Sequence, residues 1–288
     1  MSSTPFQNRL LKSLLAAGAA LTLGALSVSA AAQDAPAFTD DPAAKGDTPE
    51  AHQGYDIAAR SDRTDFGFGD SRVDATVVLR NAAGQSTERS LSFSTLEKVD
   101  ETVGDKSLVI FNSPRDVEGT ALLSHANILD PDDQWLYLPA LKRVKRISSA
   151  NKSGPFVGSE FAFEDFTITE LNKFTYAYVG EEEMDGMTVD VVDRFPRYER
   201  SGYTKQRTSI DQDIYKAHKL EFYDRRGALL KTLTLSDYRE YDGVWRAHTL
   251  SMVNHQTGKE TDLVYGDFSF KTGLDEGDFV RGVLQRVR

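Results

Sequence analysis

Side-chain catalysis needs a nucleophile with a base in reach of it, or clustered metal ligands. This sequence offers few of either. Its five histidines are His52, His125, His218, His248 and His255, and none stands in an HExxH, HxH or similar short ligand spacing. His218 and His248 fall inside apolar, strand-like runs, where a hydrogen-bonded sheet histidine is the plain reading; His255 falls in a turn. There is no GxSxG elbow and no phosphate loop. Gly67-Phe68-Gly69 is followed by Asp70-Ser71-Arg72, so it fails GxGxxG, and it precedes a strand where a dinucleotide loop should open a helix. Carboxylates gather at Asp130-Pro131-Asp132-Asp133 and Glu181-Glu182-Glu183; the first lacks the spaced ligands of a calcium loop and reads as a solvated turn. Glu160, Glu164 and Asp165 stand near apolar residues but have no adjacent base or nucleophile to work with. The chain has no cysteine, which excludes disulfides, thiolate catalysis, zinc ribbons, iron–sulfur sites and a lipidated N-terminal cysteine. These residues predict a protein that is not an enzyme, with no metal and no cofactor.

The segment richest in unusual chemistry is Trp135 to Phe166. Trp135, Tyr137 and Leu138 lie in a bulky strand. Lys142, Arg143, Lys145 and Arg146 put four cations within five residues of an acidic chain. A Ser/Asn/Gly loop follows and leads into Phe156, Val157, Phe161, Phe163 and Phe166. Two readings stand. In one, the cations are a solvated face or guards of an edge strand, and the phenylalanines anchor a short helix in the core. In the other, a glycine-flanked lid carries greasy residues over a cavity, with Trp135, Tyr137 and Leu138 as candidates for its lining on the sheet, and the cations meet anionic head groups or a membrane partner.

The elements that must position this segment are mostly strands. Thr48-Pro49-Glu50 is a helix start, with Thr48 as N-cap and Pro49 at the first helical position; the helix is expected to reach about Ser61 and to bury His52, Tyr55, Ile57 or Ala58, and Ala59. From Phe66 onward period-2 alternation dominates. Val73, Ala75, Val77 and Leu79 share one face, and after the turn Asn81-Ala82-Ala83-Gly84 so do Leu91, Phe93 and Thr95. Further strands are predicted at 107–111, 120–126, 135–138, 144–147, 174–179, 188–195, 203–210, 217–223, 229–238, 244–254 and 260–270. Short marked turns join many of them, which implies an antiparallel meander. Several strands are bulky on both faces, so one face meets a core while the other is covered or lines a cavity. Asp275–Arg288 is expected to form a short helix around Phe279, Val283 and Leu284.

The 288-residue chain carries a formal charge of −10, and losing residues 1–32, which hold Arg9, Lys12 and no acid, makes it −12. That balance disfavours nucleic acid as a partner. Arg9 and Lys12, the apolar run Leu14–Val28 and Ser29-Ala30-Ala31-Ala32 read as a cleaved signal peptide, since about 15 apolar residues fall short of the ~20 a membrane span needs. The expected organisation is a signal peptide over 1–32, a flexible leader over 33–49 and a domain over 50–288, with a soluble mature chain in the periplasm.

The central block and its flanks resemble the outer-membrane lipoprotein-sorting family, and more narrowly its LolA-like periplasmic members. The stretches that carry the resemblance are Asp105-Lys106-Ser107-Leu108; Ser113-Pro114-Arg115-Asp116 with Gly119-Thr120-Ala121-Leu122-Leu123; the run Trp135 to Ile147; Asn151-Lys152-Ser153-Gly154; Gly158-Ser159-Glu160-Phe161; Tyr223-Asp224-Arg225 with Leu229 to Leu233; and Met252 to Lys259. The resemblance covers about Gly54 to the C-terminus. It implies a mainly β (α+β) fold: a strongly curved antiparallel sheet forming an incomplete barrel, its concave side covered by short helices, with an apolar cavity between. It also implies a non-catalytic carrier of lipid or lipoprotein acyl chains, working beside an inner-membrane exporter of the resistance-nodulation-division type. The competing readings are a non-catalytic envelope scaffold and, behind it, a hydrolase.

Overall fold

The computed structural model describes residues 40–98, 104–128, 130–166 and 170–286. The expected signal peptide over 1–32 and the first part of the leader lie outside the described residues. The leader's second part does not behave as expected. Pro42–Lys45 forms a one-turn helix, α1, capped by Asp41, whose side chain accepts from the Ala43 N–H. Ala44 is fully buried against the next helix and the sheet, and Arg197 reaches the Asp41 carboxylate at 2.6 Å. Burial of one small apolar residue plus this ion pair outweighs the Ala/Asp/Pro composition that predicted an unpacked segment.

Helix α2 spans Pro49–Arg63, with the Thr48 side chain accepting from the Ala51 N–H and Pro49 in the first turn, where its missing donor costs nothing. Its buried residues are Gly54, Tyr55 and Ala59. His52 is exposed instead, its Nε2 2.8 Å from the Gly46 carbonyl.

The strands are β1 (Asp70–Arg80), β2 (Ser86–Leu96), β3 (Lys106–Ser113), β4 (Ala121–His125), β5 (Asp133–Leu138), β6 (Arg143–Ile147), β7 (Phe174–Met184), β8 (Met187–Pro196), β9 (Tyr203–Asp211), β10 (Ala217–Asp224), β11 (Leu229–Tyr241), β12 (Val244–Asn254), β13 (Glu260–Tyr265) and β14 (Ser269–Phe270). They form one antiparallel sheet in the order β6-β5-β4-β3-β2-β1-β13-β12-β11-β10-β9-β8-β7, with β14 also on β1. Among β1 to β13 every sequential neighbour pairs except β6 and β7, and the ladder is joined by β1 against β13, with Ala75 opposite Tyr265. The structure is thus a meander bent round on itself with one break. The two strands at that break, β6 and β7, are consecutive in sequence, so residues 148–173 must run between the sheet's free edges. The expected strand 260–270 is interrupted because the β1 partner register slips by one residue between Tyr265 and Ser269, a bulge that bends the strand.

Alternation explains the layers. On β3, Val109 and Phe111 point into the concave core with Leu122 of β4 and Leu136 of β5, while Leu108 and Ile110 point outward with Leu123, Trp135 and Tyr137. That outer patch is covered by Leu274, Phe279 and Leu284 from the C-terminus, where two 3-10 turns, Glu276–Phe279 and Arg281–Gln285, replace the predicted helix. On the other half of the sheet, α2 packs against β7. The approach is close: a Cβ at Gly54 would lie 2.8 Å from the Tyr178 backbone nitrogen and 2.9 Å from the Ala177 carbonyl carbon. Backbone cannot yield as a side chain can. Gly54→Ala is therefore expected to lose about 1–3 kcal/mol of stability through helix displacement, read as a lowered urea midpoint; an unchanged midpoint would show that α2 is not seated as described.

Candidate functional site

Residues 148–166 enter the concavity from the β6 edge as a plug. Phe156 and Phe161 are buried, and Val157, Phe163 and Phe166 pack against the same core. The rings form one cluster, with centroid separations of 4.4 Å for Phe156–Phe166, 5.5 Å for Phe156–Phe163 and 5.5 Å for Phe161–Phe166; Phe111 of β3 and Phe93 of β2 meet it from the sheet. The plug folds back tightly, with the Phe156 N–H donating to the Phe161 carbonyl at 2.7 Å. Val157 and Gly158 both adopt positive φ, 47° and 80°. That conformation suits Gly158 but is strained for a β-branched valine.

Buried ions hold the plug. The Lys231 ammonium on β11 donates to Asp165 Oδ2 at 2.5 Å and to the Glu160 carbonyl at 2.9 Å; the two side chains are only 4% and 6% exposed. The same ammonium lies 5.1 Å from the Phe222 ring centroid. Asp165 also accepts from the Tyr203 hydroxyl at 2.8 Å and the Ala162 N–H at 2.7 Å. Glu164 accepts from the Gly202 N–H and the Ser201 hydroxyl, and burial pushes its carboxyl above the usual range. On the β2 side the Arg89 guanidinium donates to the Val157 carbonyl, and on β5 Gln134 donates to the Phe163 carbonyl at 2.9 Å.

Beside the plug lies a cavity of about 460 Å³, within the range of small-molecule sites, about 300–1,000 Å³. Its apolar wall is Leu220, Phe222, Leu233, Leu235 and Leu250 of β10–β12 with Phe161 of the plug. Phe174, Val192 and Ile210 extend that wall, but the lining is not wholly apolar, contrary to expectation. The C-terminal end of α2 contributes Asp62 and Asp65, and the segments before β3 and β7 contribute Asp105 and Glu170. Several lining charges neutralise one another: Lys173 and Lys152 flank Asp132 at 2.6 and 4.0 Å, and Lys216 and Arg246 both reach Asp65, at 2.5 and 2.7 Å. Asp62, Asp105 and Glu170 have no ion pair among the described residues. Burial, reinforced by mutual repulsion with Glu170, Asp65 and Asp105, pushes Asp62 up to about 8. Burial likewise pushes Asp105 up to about 7, against a hydrogen bond from the Lys98 N–H, and raises Glu170.

The structure thus divides the candidate residues. Leu138 joins the concave core with the phenylalanines and Val157, but only Phe161 among them touches the cavity; the others fill the neighbouring space. Trp135 and Tyr137 are on the opposite face, under the C-terminal turns, because period-2 alternation separates them from Leu136 and Leu138. The cations are exposed and split in the same way. Arg143 and Lys145 pair with Leu138 and Leu136 and share their concave-side face at the free β6 edge, while Arg146 pairs with Trp135 on the outside and bonds Asp133. Lys142 sits in the turn before them, at φ 49°. Sequence reasoning missed Lys152, Lys173, Lys216 and Lys231, four buried lysines each on an acid. The signal for Lys231 was a lysine at an inward position of an otherwise apolar alternation, Lys231-Leu233-Leu235. The histidines are structural: His248 is buried with Nε2 2.8 Å from the Tyr241 hydroxyl, and His218 Nε2 is 2.8 Å from Asp211. No group of three or more metal-ligating side chains suited to an ion occurs among the described residues.

A broken antiparallel barrel, plugged by its own crossover segment and leaving a chamber under one helix, defines a class of ligand-sheltering, barrel-like domains. A protein-family model described as "Uncharacterized protein" matches residues 104–286. Among solved structures, an outer membrane lipoprotein-sorting protein domain from Vibrio parahaemolyticus is 50% identical, with a TM-score of 0.79 over 82% of this chain and 100% of its own. A DUF1329 family protein from Desulfovibrio piger is 27% identical, with a TM-score of 0.78 and the same coverage. A LolA superfamily protein from Nitrosomonas europaea, 18% identical with a TM-score of 0.65, shares the fold. The chain belongs to the family of the outer membrane lipoprotein-sorting domain, and with the LolA superfamily protein it shares the fold. A search of curated proteins found no match.

Proposed function

We propose that this protein is a periplasmic carrier that shelters the acyl chains of lipids or lipoproteins between an inner-membrane exporter and the outer membrane, and that it catalyses no reaction. The observation that carries this reading is the chamber itself, with its leucine and phenylalanine wall beside a ring-packed plug. Each methylene moved from water into such a space gains about 0.8 kcal/mol, so a long chain needs shelter more than it needs catalysis. A carrier must also let go. The plug supports this, because its phenylalanines offer the sheet the same kind of contact as a hydrocarbon tail and can exchange with it. On this reading a signal peptide over 1–32 delivers the chain across the inner membrane. Arg143 and Lys145, exposed on the free β6 edge, supply the face for anionic head groups or for a resistance-nodulation-division-type exporter.

The test is extraction of the protein, purified from its native host, with organic solvent followed by lipid mass spectrometry, together with displacement of a bound fluorescent fatty acid. Stoichiometric lipid and saturable displacement are expected. Repeated absence of lipid, with no probe binding, would remove the carrier reading and leave the scaffold.

A further inference from the structure

The chamber is chemically polarised. Its leucine wall lies on β10–β12, and three acids with no ion pair among the described residues, Asp62, Asp105 and Glu170, stand on α2 and on the segments entering β3 and β7. Asp62 keeps only partial solvent exposure, lines the chamber, and its carboxylate has no hydrogen bond or ion pair among the described residues. Asp105 and Glu170 are tied only to backbone, Asp105 by the Lys98 N–H and Glu170 by the Asp105 N–H. Of the lining cations, Lys152 and Lys173 are engaged by Asp132, Lys216 by Asp65 and Lys98 by Glu276, and Arg200 is exposed. Arg194, on β8, donates to Gln206 and stacks over Phe174 at 4.7 Å. A carboxylate without a partner in a low-dielectric wall is costly unless something brings it a positive donor. An incoming carboxylate or phosphate would be repelled by whichever of these acids is ionised, while an ammonium would find three acceptors and would favour their ionised form.

Resting on the carrier reading above, we propose that the chamber takes amphiphiles with an ammonium-bearing head group. The hydrocarbon lies on Leu220, Leu233, Leu235 and Leu250, and the ammonium donates to Asp62, Asp105 and Glu170. This site discriminates by head-group charge as well as by chain length.

The test uses the full chain at pH 7.5 and about 150 mM salt, where long-range attraction to a net-negative protein is screened beyond about 8 Å. A neutral fluorescent probe, N-phenylnaphthylamine, is displaced by dodecylammonium or by dodecanoate below their micellar concentrations. Dodecylammonium should bind roughly tenfold or more tightly, a difference of about 1.4 kcal/mol. In the near-isosteric triple variant Asp62→Asn, Asp105→Asn, Glu170→Gln, with its thermal midpoint recorded, both ligands should still displace the probe and the preference should fall to about twofold or less. Equal binding, tighter dodecanoate binding, or a preference unchanged in the triple variant would overturn this inference while leaving the carrier intact. If neither the probe nor either ligand binds, the carrier reading itself fails.

Discussion

Replacing Lys231 by Met is expected to lower the unfolding free energy by about 3–5 kcal/mol, the usual loss when one partner of a buried ion pair is removed. The substitution keeps the aliphatic length beside Phe222 and Tyr203 but leaves Asp165 without its 2.5 Å cation and the Glu160 carbonyl without a donor. Both groups belong to the plug, so the loss should appear first as detachment of residues 156–166: faster amide exchange there and increased binding of a hydrophobic dye at concentrations of urea too low to unfold the sheet. A double-mutant cycle isolates the pair. Asp165→Asn removes the charge while keeping one oxygen for the Ala162 N–H, its amide N–H being able to donate to the Tyr203 hydroxyl in place of the second oxygen, and the Lys231→Met/Asp165→Asn protein should lose markedly less than the sum of the singles, with a coupling of about 1–3 kcal/mol. Additive losses would show that Lys231 does not hold Asp165 in solution.

The second large effect has the opposite sign. Asp62→Asn should stabilise the protein at pH 8 by on the order of 2 kcal/mol, and the gain should shrink as pH falls and vanish only below the unfolded carboxyl value, about pH 4. The folded-state value of about 8 for Asp62, like that of about 7 for Asp105, lies above the ordinary carboxylate value of 3.8. Between those limits the folded state binds more protons than the unfolded state, so stability falls as pH rises. The favourable contribution is complete below the unfolded value and is lost as pH rises through 7 to 8. Other carboxyls act the other way. Asp193, beside Arg207 and Lys205, and Asp70, which accepts from Thr272 and Gly273, are held below the usual range; their contribution is present above about pH 4 and lost in acid. Thermal midpoints should therefore peak at mildly acidic pH and decline towards pH 8 in the wild type, with a shallower decline in Asp62→Asn. A midpoint that rises steadily from pH 5 to 8 would show that Asp62 is not confined with Asp105 and Glu170.

Both effects come from charges inside the molecule, which the sequence shows poorly. Period-2 alternation in β1–β5 and β10–β12, the Thr48-Pro49 start of α2 and the marked turns are local properties, so they predict an antiparallel meander with little help from distant contacts, while its curvature is implied only by the family resemblance. Bulky residues on both faces of β3–β5 likewise required a cover on each side. Alternation states that Trp135 and Leu136 face opposite ways, but not which way is inward, and that is why Trp135 and Tyr137 were assigned to a chamber they do not reach.

The sequence by itself determined the strands, the first helix, the turns and the family, because each is written in residue order over a few to a few tens of positions. Only the tertiary structure decided that β1 meets β13, that the phenylalanines of residues 156–166 join the concave core, and that Lys231 finds Asp165 while Asp62 finds no ion pair among the described residues. Those outcomes depend on which distant surfaces the bent sheet brings together, and a buried charge can be assigned a partner only once the walls around it exist.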